Sequence, residues 1–309
     1  MILSTEYIEN YLNHCNHQKR LDFKTIKAYK IDLQQLFRFL QQNSSELSKD
    51  GLEKYIEWLH EQYKPKTVKR KIACLKAFFV FLEFEGIMLA NPLLKLNIKF
   101  REPFILPKTI PLDTIQRILT ITYQEHINVS KTDYQRKMSL RDIAVLELLF
   151  AIGARVSEIC SLKKDDVDLK QGIIKIYGKG SKERLIQIGN PDVLNVLFKY
   201  SDNFKDQTAS SGYFFVNRFN DRLSEQSVRN IINKHAKKCG LEIHITPHMF
   251  RHTFATLLLE EDVDIRYIQK FLGHSSIITT QIYTHVTSQK QKQILVTKHP
   301  RNKLCFTNL

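Results

Sequence analysis

Nothing in the 309-residue sequence approaches the run of roughly 20 apolar residues that a membrane-spanning helix needs. The opening residues Met1-Ile2-Leu3-Ser4-Thr5-Glu6 carry no basic region and no long apolar stretch, so no secretory signal peptide is expected there. Cysteine is sparse: Cys15, Cys74, Cys160, Cys239 and Cys305 are odd in number, widely scattered and form no CxxC pair. Neither a disulfide framework nor a cysteine zinc site is indicated, and the expected setting is the reducing cytosol. Internal repeats and low-complexity segments are absent too.

Apolar residues and positive charge, by contrast, are plentiful. With 43% hydrophobic and 10% aromatic residues the chain can bury real cores, and its length suits two domains. The 47 Lys and Arg outnumber the 32 Asp and Glu, leaving a net charge of +15. A chain this basic usually meets a polyanion, most commonly nucleic acid, although basicity can also be a trait of lineage alone.

The first hundred residues read as helices only. Ile26, Tyr29, Leu33, Leu36, Phe37 and Leu40 recur at three- and four-residue spacings. A second helix is expected from a Ser48 cap through Leu52, Ile56 and Leu59, and a third from Pro65 through Val68, Ile72, Leu75, Phe78, Phe79 and Leu82. With one more near the N-terminus, these make a bundle of about four helices. Around the start of the third, Lys64, Lys66, Lys69, Arg70, Lys71 and Lys76 come without an acidic residue among them. Most charge runs are solvated faces; here the uncompensated cations favour contacts with DNA phosphates.

Pro103, Pro107 and Pro111, with Lys99, Arg101 and Lys108, mark a basic extended linker. Domain boundaries follow: residues 1–96, a linker at 97–111 and a second domain at 112–309. Beyond the linker, helices are expected at Leu112–Leu119 and Ser139–Phe150, with the polar Thr120–Lys137 between them a loop or weak helix. Ile173–Tyr177 and Arg184–Ile188 flank the turn Gly178–Glu183 as a β-hairpin, and Tyr213–Val216 is a candidate strand. Further helices are expected at Ser224–Cys239, Pro247–Glu260 and Asp264–Leu272, and a last one through Tyr283.

Thr246-Pro247-His248-Met249-Phe250-Arg251-His252 is the most informative stretch. Thr246 caps and Pro247 opens a helix, so His248 and Arg251 fall in its first turn on one face, where free N–H groups and the helix dipole already favour an anion. His248 and His252 also have the spacing of zinc-binding histidines, but Met249 stands where the Glu base would be and Arg251 would repel a metal. A plain structural helix start is the other alternative. Gly273 reads as a helix stop, placing His274 at a junction, with Tyr283 nine residues later. Arg155 follows an apolar helix and either pairs with Glu147 or Glu158 or holds an anion. Asp165, Asp166 and Asp168 cluster on a short polar segment that reads as a solvated loop rather than a two-metal site.

Taken in order, Gly153-Ala154-Arg155-Val156-Ser157-Glu158, Gly178-Lys179-Gly180-Ser181-Lys182-Glu183-Arg184, His248-Met249-Phe250-Arg251-His252, Leu272-Gly273-His274-Ser275 and Tyr283-Thr284-His285 resemble the boxes of the tyrosine recombinases, or phage integrases, and most of all the Xer-type enzymes. Ala154 and Phe250 stand where family members often carry Leu, exchanges of packing residues that leave every charged position filled. The resemblance implies a mainly α chain with a small β-sheet: an N-terminal SAM-like, core-binding helical bundle and a C-terminal α+β catalytic domain. It implies Tyr283 as nucleophile forming a 3′-phosphotyrosyl link, with His248 as general base and Lys179 as general acid. Arg155, Arg251 and His274 would hold the phosphate oxygens. No cofactor or metal is implied.

As partners the resemblance implies double-stranded DNA bearing specific recombination sites and a homo-tetramer, or a hetero-tetramer with a related recombinase. An accessory DNA translocase would be a further partner, and no membrane is involved. Resolution of chromosome or plasmid dimers is the leading role. A phage or transposon integrase, a non-catalytic architectural protein and a type IB topoisomerase are the alternatives.

Overall fold

Capping residues and apolar spacing set the element boundaries throughout the chain. The computed structural model describes residues 5–43, 47–96, 107–127, 132–178 and 183–273. The chain divides into two compact units, Met1–Phe104 and Ile105–Leu309.

In the first unit, α1 (Thr5–His17), α2 (Phe23–Gln42), α3 (Lys49–Gln62) and α4 (Pro65–Phe84) are followed by a short 3-10 turn at Pro92–Lys95. Asp22 caps α2 by accepting from the Lys24 N–H, Ser48 caps α3 by accepting from Gly51, and Pro65 supplies the preset φ of the first turn of α4. Each helix buries one face. Tyr11, Leu33, Leu36, Leu52, Tyr55, Val68, Leu75, Phe78 and Phe79 form a single core with almost no solvent exposure.

The second unit holds α5 (Leu112–Ile127), α6 (Asp133–Ile152), α7 (Val156–Ser161), β1 (Val167–Asp168), β2 (Ile173–Tyr177), β3 (Glu183–Gln187), α8 (Pro191–Asn203), α9 (Lys205–Ser211), α10 (Glu225–Lys238), α11 (Pro247–Glu260) and α12 (Ile265–Leu272). Helix α6 is central and nearly all apolar from Ile143 to Ile152, and it packs against α5, α8 and α11. The strands form one antiparallel sheet in the order β1-β2-β3, with Tyr177 opposite Glu183 and Ile173 opposite Gln187. Alternation sends Ile174, Ile176 and Ile186 into the core.

Several expectations need correction. Thr120–Lys137 is mostly helical: α5 continues to Ile127 and α6 begins at Asp133, while residues 128–131 lie outside the described ones. Burial of Ile118 and Thr122, a Tyr123–Glu147 hydrogen bond of 2.7 Å and a Thr132–Gln135 capping box hold ends whose polar composition disguised them. Tyr213–Val216 is not a strand. It touches its neighbours only through isolated bridges, Lys163 with Tyr213 and Val216 with Arg222, and buries Phe214 and Phe215. The acidic segment is a 3-10 turn (Lys164–Asp166) leading into β1 rather than a loop. Helices α7, α8 and α9 were not anticipated.

Candidate active site

The start of α11 forms as its residues require. The Thr246 side chain accepts from the Met249 N–H, and Pro247 occupies the first turn. His248 is exposed at this end, whereas Arg251 is only 4% exposed. A cation that deep needs compensation, and helix ends provide it. Arg251 Nη1 donates to Gly153 O at 2.9 Å, at the end of α6, and Nη2 to Leu272 O at 2.6 Å, at the end of α12. Both carbonyls belong to the negative poles of their helices.

Gly153 ends α6 in the left-handed conformation, φ 56°. A Cβ there would also lie 2.5 Å from Phe254 Cδ1, so only glycine fits between α6 and α11. Two residues on, Arg155 caps α7. Its Nη1 donates to Glu158 Oε1 and its backbone N–H to Glu158 Oε2, each at 2.8 Å. The side chain stays 31% exposed, so part of its donor fork reaches solvent. Glu147, the other candidate partner, bonds Tyr123 instead.

Glu158 is buried, and a second arginine that sequence reading gave no role completes its environment. Arg184 donates to both Glu158 oxygens, at 3.0 and 2.7 Å, and through Nε to Phe271 O at 3.0 Å. Burial alone would push the Glu158 carboxyl up, but hydrogen bonds and charge from Arg184, then Arg155, hold it below the usual range. One signal could have found Arg184: it lies two residues before the buried Ile186 on β3, hence on the inward face.

His248 takes its character from the same cluster. Crowding by the surrounding protein, then the charges of Arg251, Arg155 and Arg229, hold its imidazole below the ordinary value. It is thus neutral at physiological pH and able to accept a proton. His252 is pushed down further, to about 4, by burial and by its neighbours His248 and Arg251. Among the described residues, no group of three or more His, Cys, Asp or Glu is placed to hold a metal.

Arg155, His248 and Arg251 are therefore brought together from α6–α7 and α11. Lys179, His274 and Tyr283 lie outside the described residues. Tyr177 pairs with Glu183 on either side of residues 179–182 in the sequence, and Gly273 ends α12 in the left-handed conformation one residue before His274.

The basic set on α4 is corrected at one position and qualified at another. Lys64, Lys66, Lys69, Arg70 and Lys76 are exposed, but Lys71 is buried. Its Nζ donates to Asp32 Oδ1 at 2.8 Å and to Gln35 Oε1 at 2.5 Å, while Arg70 pairs with the same aspartate. The compensating acid comes from α2, far away in sequence. Lys71 follows Val68 by three residues and precedes Leu75 by four, so helix geometry alone places it on the inner face.

Comparison with known proteins agrees with the motifs. A family model described as the phage integrase family matches residues 110–290, and one described as the phage integrase N-terminal SAM-like domain matches residues 8–86. A tyrosine recombinase of Agathobacter rectalis is 54% identical over 97% of this chain and 98% of its own length. The tyrosine recombinase XerC of Thermodesulfovibrio yellowstonii is 35% identical over 96% of this chain and 97% of its own. The tyrosine recombinase XerD of Listeria innocua is 35% identical over 96% and 99%. Among solved structures, XerH recombinase bound to a palindromic difH substrate has the same fold, with TM-score 0.75 at 20% identity, covering 95% of this chain and 84% of that one. The chain belongs to the phage integrase family of tyrosine recombinases, and it is a site-specific DNA recombinase with Xer-type relatives.

Proposed function

We propose that this recombinase cuts and reseals DNA through a 3′-phosphotyrosyl intermediate on Tyr283 and resolves chromosome or plasmid dimers in the cytosol. The observation that carries the reading is the convergence of Arg155, His248 and Arg251 at the junction of α6, α7 and α11. Two planar donor forks match phosphate geometry, and a neutral imidazole stands beside them.

In the forward step, the Tyr283 hydroxyl passes its proton to His248 and attacks the scissile phosphorus. A phosphorus–oxygen bond forms to tyrosine, and the bond to the 5′-oxygen breaks. Lys179 protonates that leaving oxygen, while Arg155, Arg251 and His274 stabilise the charge on the non-bridging oxygens. Phosphoryl transfer of this kind needs chiefly positioning and positive charge. The phosphotyrosine keeps the energy of the phosphodiester, so reversal with a new 5′-hydroxyl reseals the strand without a nucleotide cofactor.

The N-terminal unit, bounded by the linker at 97–111, would grip the duplex with Lys64, Lys66, Lys69, Arg70 and Lys76 as phosphate contacts. Relatives named XerC and XerD match nearly full length, which favours dimer resolution over integration of a mobile element. A homo-tetramer or a hetero-tetramer with a related recombinase would exchange strands, with an accessory translocase as a further partner.

The test is a nicked suicide substrate carrying recombination sites from the source genome. Wild type is expected to give an SDS-resistant protein–DNA adduct and Tyr283→Phe none. No adduct at any site, or an adduct that persists in the Phe variant, would overturn the proposal.

A further inference from the structure

The proposed cleavage draws its proton donor and its phosphate-holding arginines from different elements, and one side chain outside that set joins those elements. Arg184 is the second residue of β3, five residues after Lys179 in the sequence. All three of its nitrogens are engaged within the protein: two on the Glu158 carboxylate in α7 and one on the Phe271 carbonyl in α12. Glu158 also holds the side chain and the backbone N–H of Arg155. On α12, the next carbonyl, Leu272 O, is taken by Arg251. The chain then passes close over the guanidinium: a Cβ on Gly273 would lie 2.9 Å from Arg184 Nη1. One residue thus ties β3, the strand that follows Lys179 in the sequence, to the elements that hold Arg155 and Arg251 and to the end of α12 just before His274.

Charge gives the arrangement a second purpose. A buried carboxylate paired with Arg155 alone would cancel the charge that a phosphate needs. With Arg184 added, two guanidinium groups share one carboxylate and the trio keeps a net positive charge. Glu158 therefore orients Arg155 without neutralising it. Lysine keeps the charge but presents its donors from a single nitrogen, so it lacks the planar fork that meets both carboxylate oxygens while Nε reaches a carbonyl.

Resting on the function proposed above, we propose that Arg184 is a positioning residue that locks β3, and through it the segment bearing Lys179, against Arg155 and the end of α12. Protonation of the leaving oxygen then keeps pace with attack on phosphorus.

The experiment compares wild type, Arg184→Lys and Arg184→Ala in single-turnover cleavage of two nicked substrates. One has the ordinary 5′-oxygen at the scissile phosphate. The other has sulfur there, which departs as a thiolate and needs no proton. DNA affinity and thermal unfolding are measured alongside.

On the oxygen substrate, Arg184→Ala is expected to slow cleavage at least about tenfold and Arg184→Lys several-fold, with DNA affinity within about twofold of wild type. The sulfur substrate should recover a clearly measurable part of that loss in both variants, the remainder being the share that passes through Arg155. Equal slowing on the two substrates would mean a merely structural role and would overturn the inference, as would the absence of slowing. If Arg184→Ala fails to fold, Arg184→Lys keeps the charge and the long stem and carries the comparison alone. A wild type inactive on both substrates would instead overturn the proposed function, and this inference with it.

Discussion

At the scale of single residues, α11 carries two histidines one turn apart, and both bind a proton less readily in the folded chain than in the unfolded one. From the ordinary value near 6.5 down to about 4 for His252, the unfolded chain therefore holds more protons. Stability must fall as pH falls through that window and is fully present above it. The melting temperature is expected to drop between pH 7 and pH 5, and His252→Gln to flatten that slope; the His252 share is at most roughly 3 kcal/mol. Calorimetry across the pH range would show it, and an unchanged slope in the Gln variant would contradict it. Arg155, His248 and Arg251 were singled out in the sequence because the motif order pointed to them, and the structure brings these three near one another. Arg184 was not given a role, since its meaning lies in partners on α7 and α12 that are distant along the chain.

At the scale of an element, α4 shows how a charge run can mislead. Its cations divide into exposed ones and Lys71, which a buried aspartate on α2 holds. Lys66→Ala is expected to weaken DNA binding and to reduce the slope of log affinity against log salt by about one. Lys71→Ala should instead mainly lower the stability of the N-terminal unit. Asp32→Ala should cost more, about 3–5 kcal/mol, because it strands a buried cation. Binding titrations at several salt concentrations, with denaturant unfolding, separate these outcomes. Helices with an apolar stripe and a clear start signal, the side-chain caps of α3 and α11 and Pro65 of α4, could be read from sequence to within about two residues. The region around Thr120–Lys137 could not, because side-chain bonds to α6 and a capping box compensate there for weak apolar periodicity. The two hairpin strands were legible from their alternation to within a residue, whereas β1, with only two residues, has no period to detect.

For the whole molecule, the decisive fact is that each unit owns a separate core. One is built on α1–α4 and the other around α6, and the two share no buried residue among those described. Scanning calorimetry is expected to resolve two transitions, or a calorimetric enthalpy exceeding the van't Hoff value. Asp32→Ala should move only the transition of the N-terminal unit, and a single transition that shifts as a whole would refute independent cores. The proline-bearing basic stretch and the change from all-helical to mixed patterning pointed to two parts, and the chain divides into two compact units between Phe104 and Ile105.

Arg251 also bears on how quickly the enzyme can respond to DNA. Its guanidinium is stripped of water and seated on two helix ends when the chain folds, long before any phosphate arrives. Under the proposed function, the incoming strand then meets a charge already held in place rather than one that must be desolvated on arrival. The burden falls on the idle molecule, which carries a dehydrated cation in its interior throughout its life. Catalytic readiness and resistance to unfolding are therefore set against each other at this one side chain.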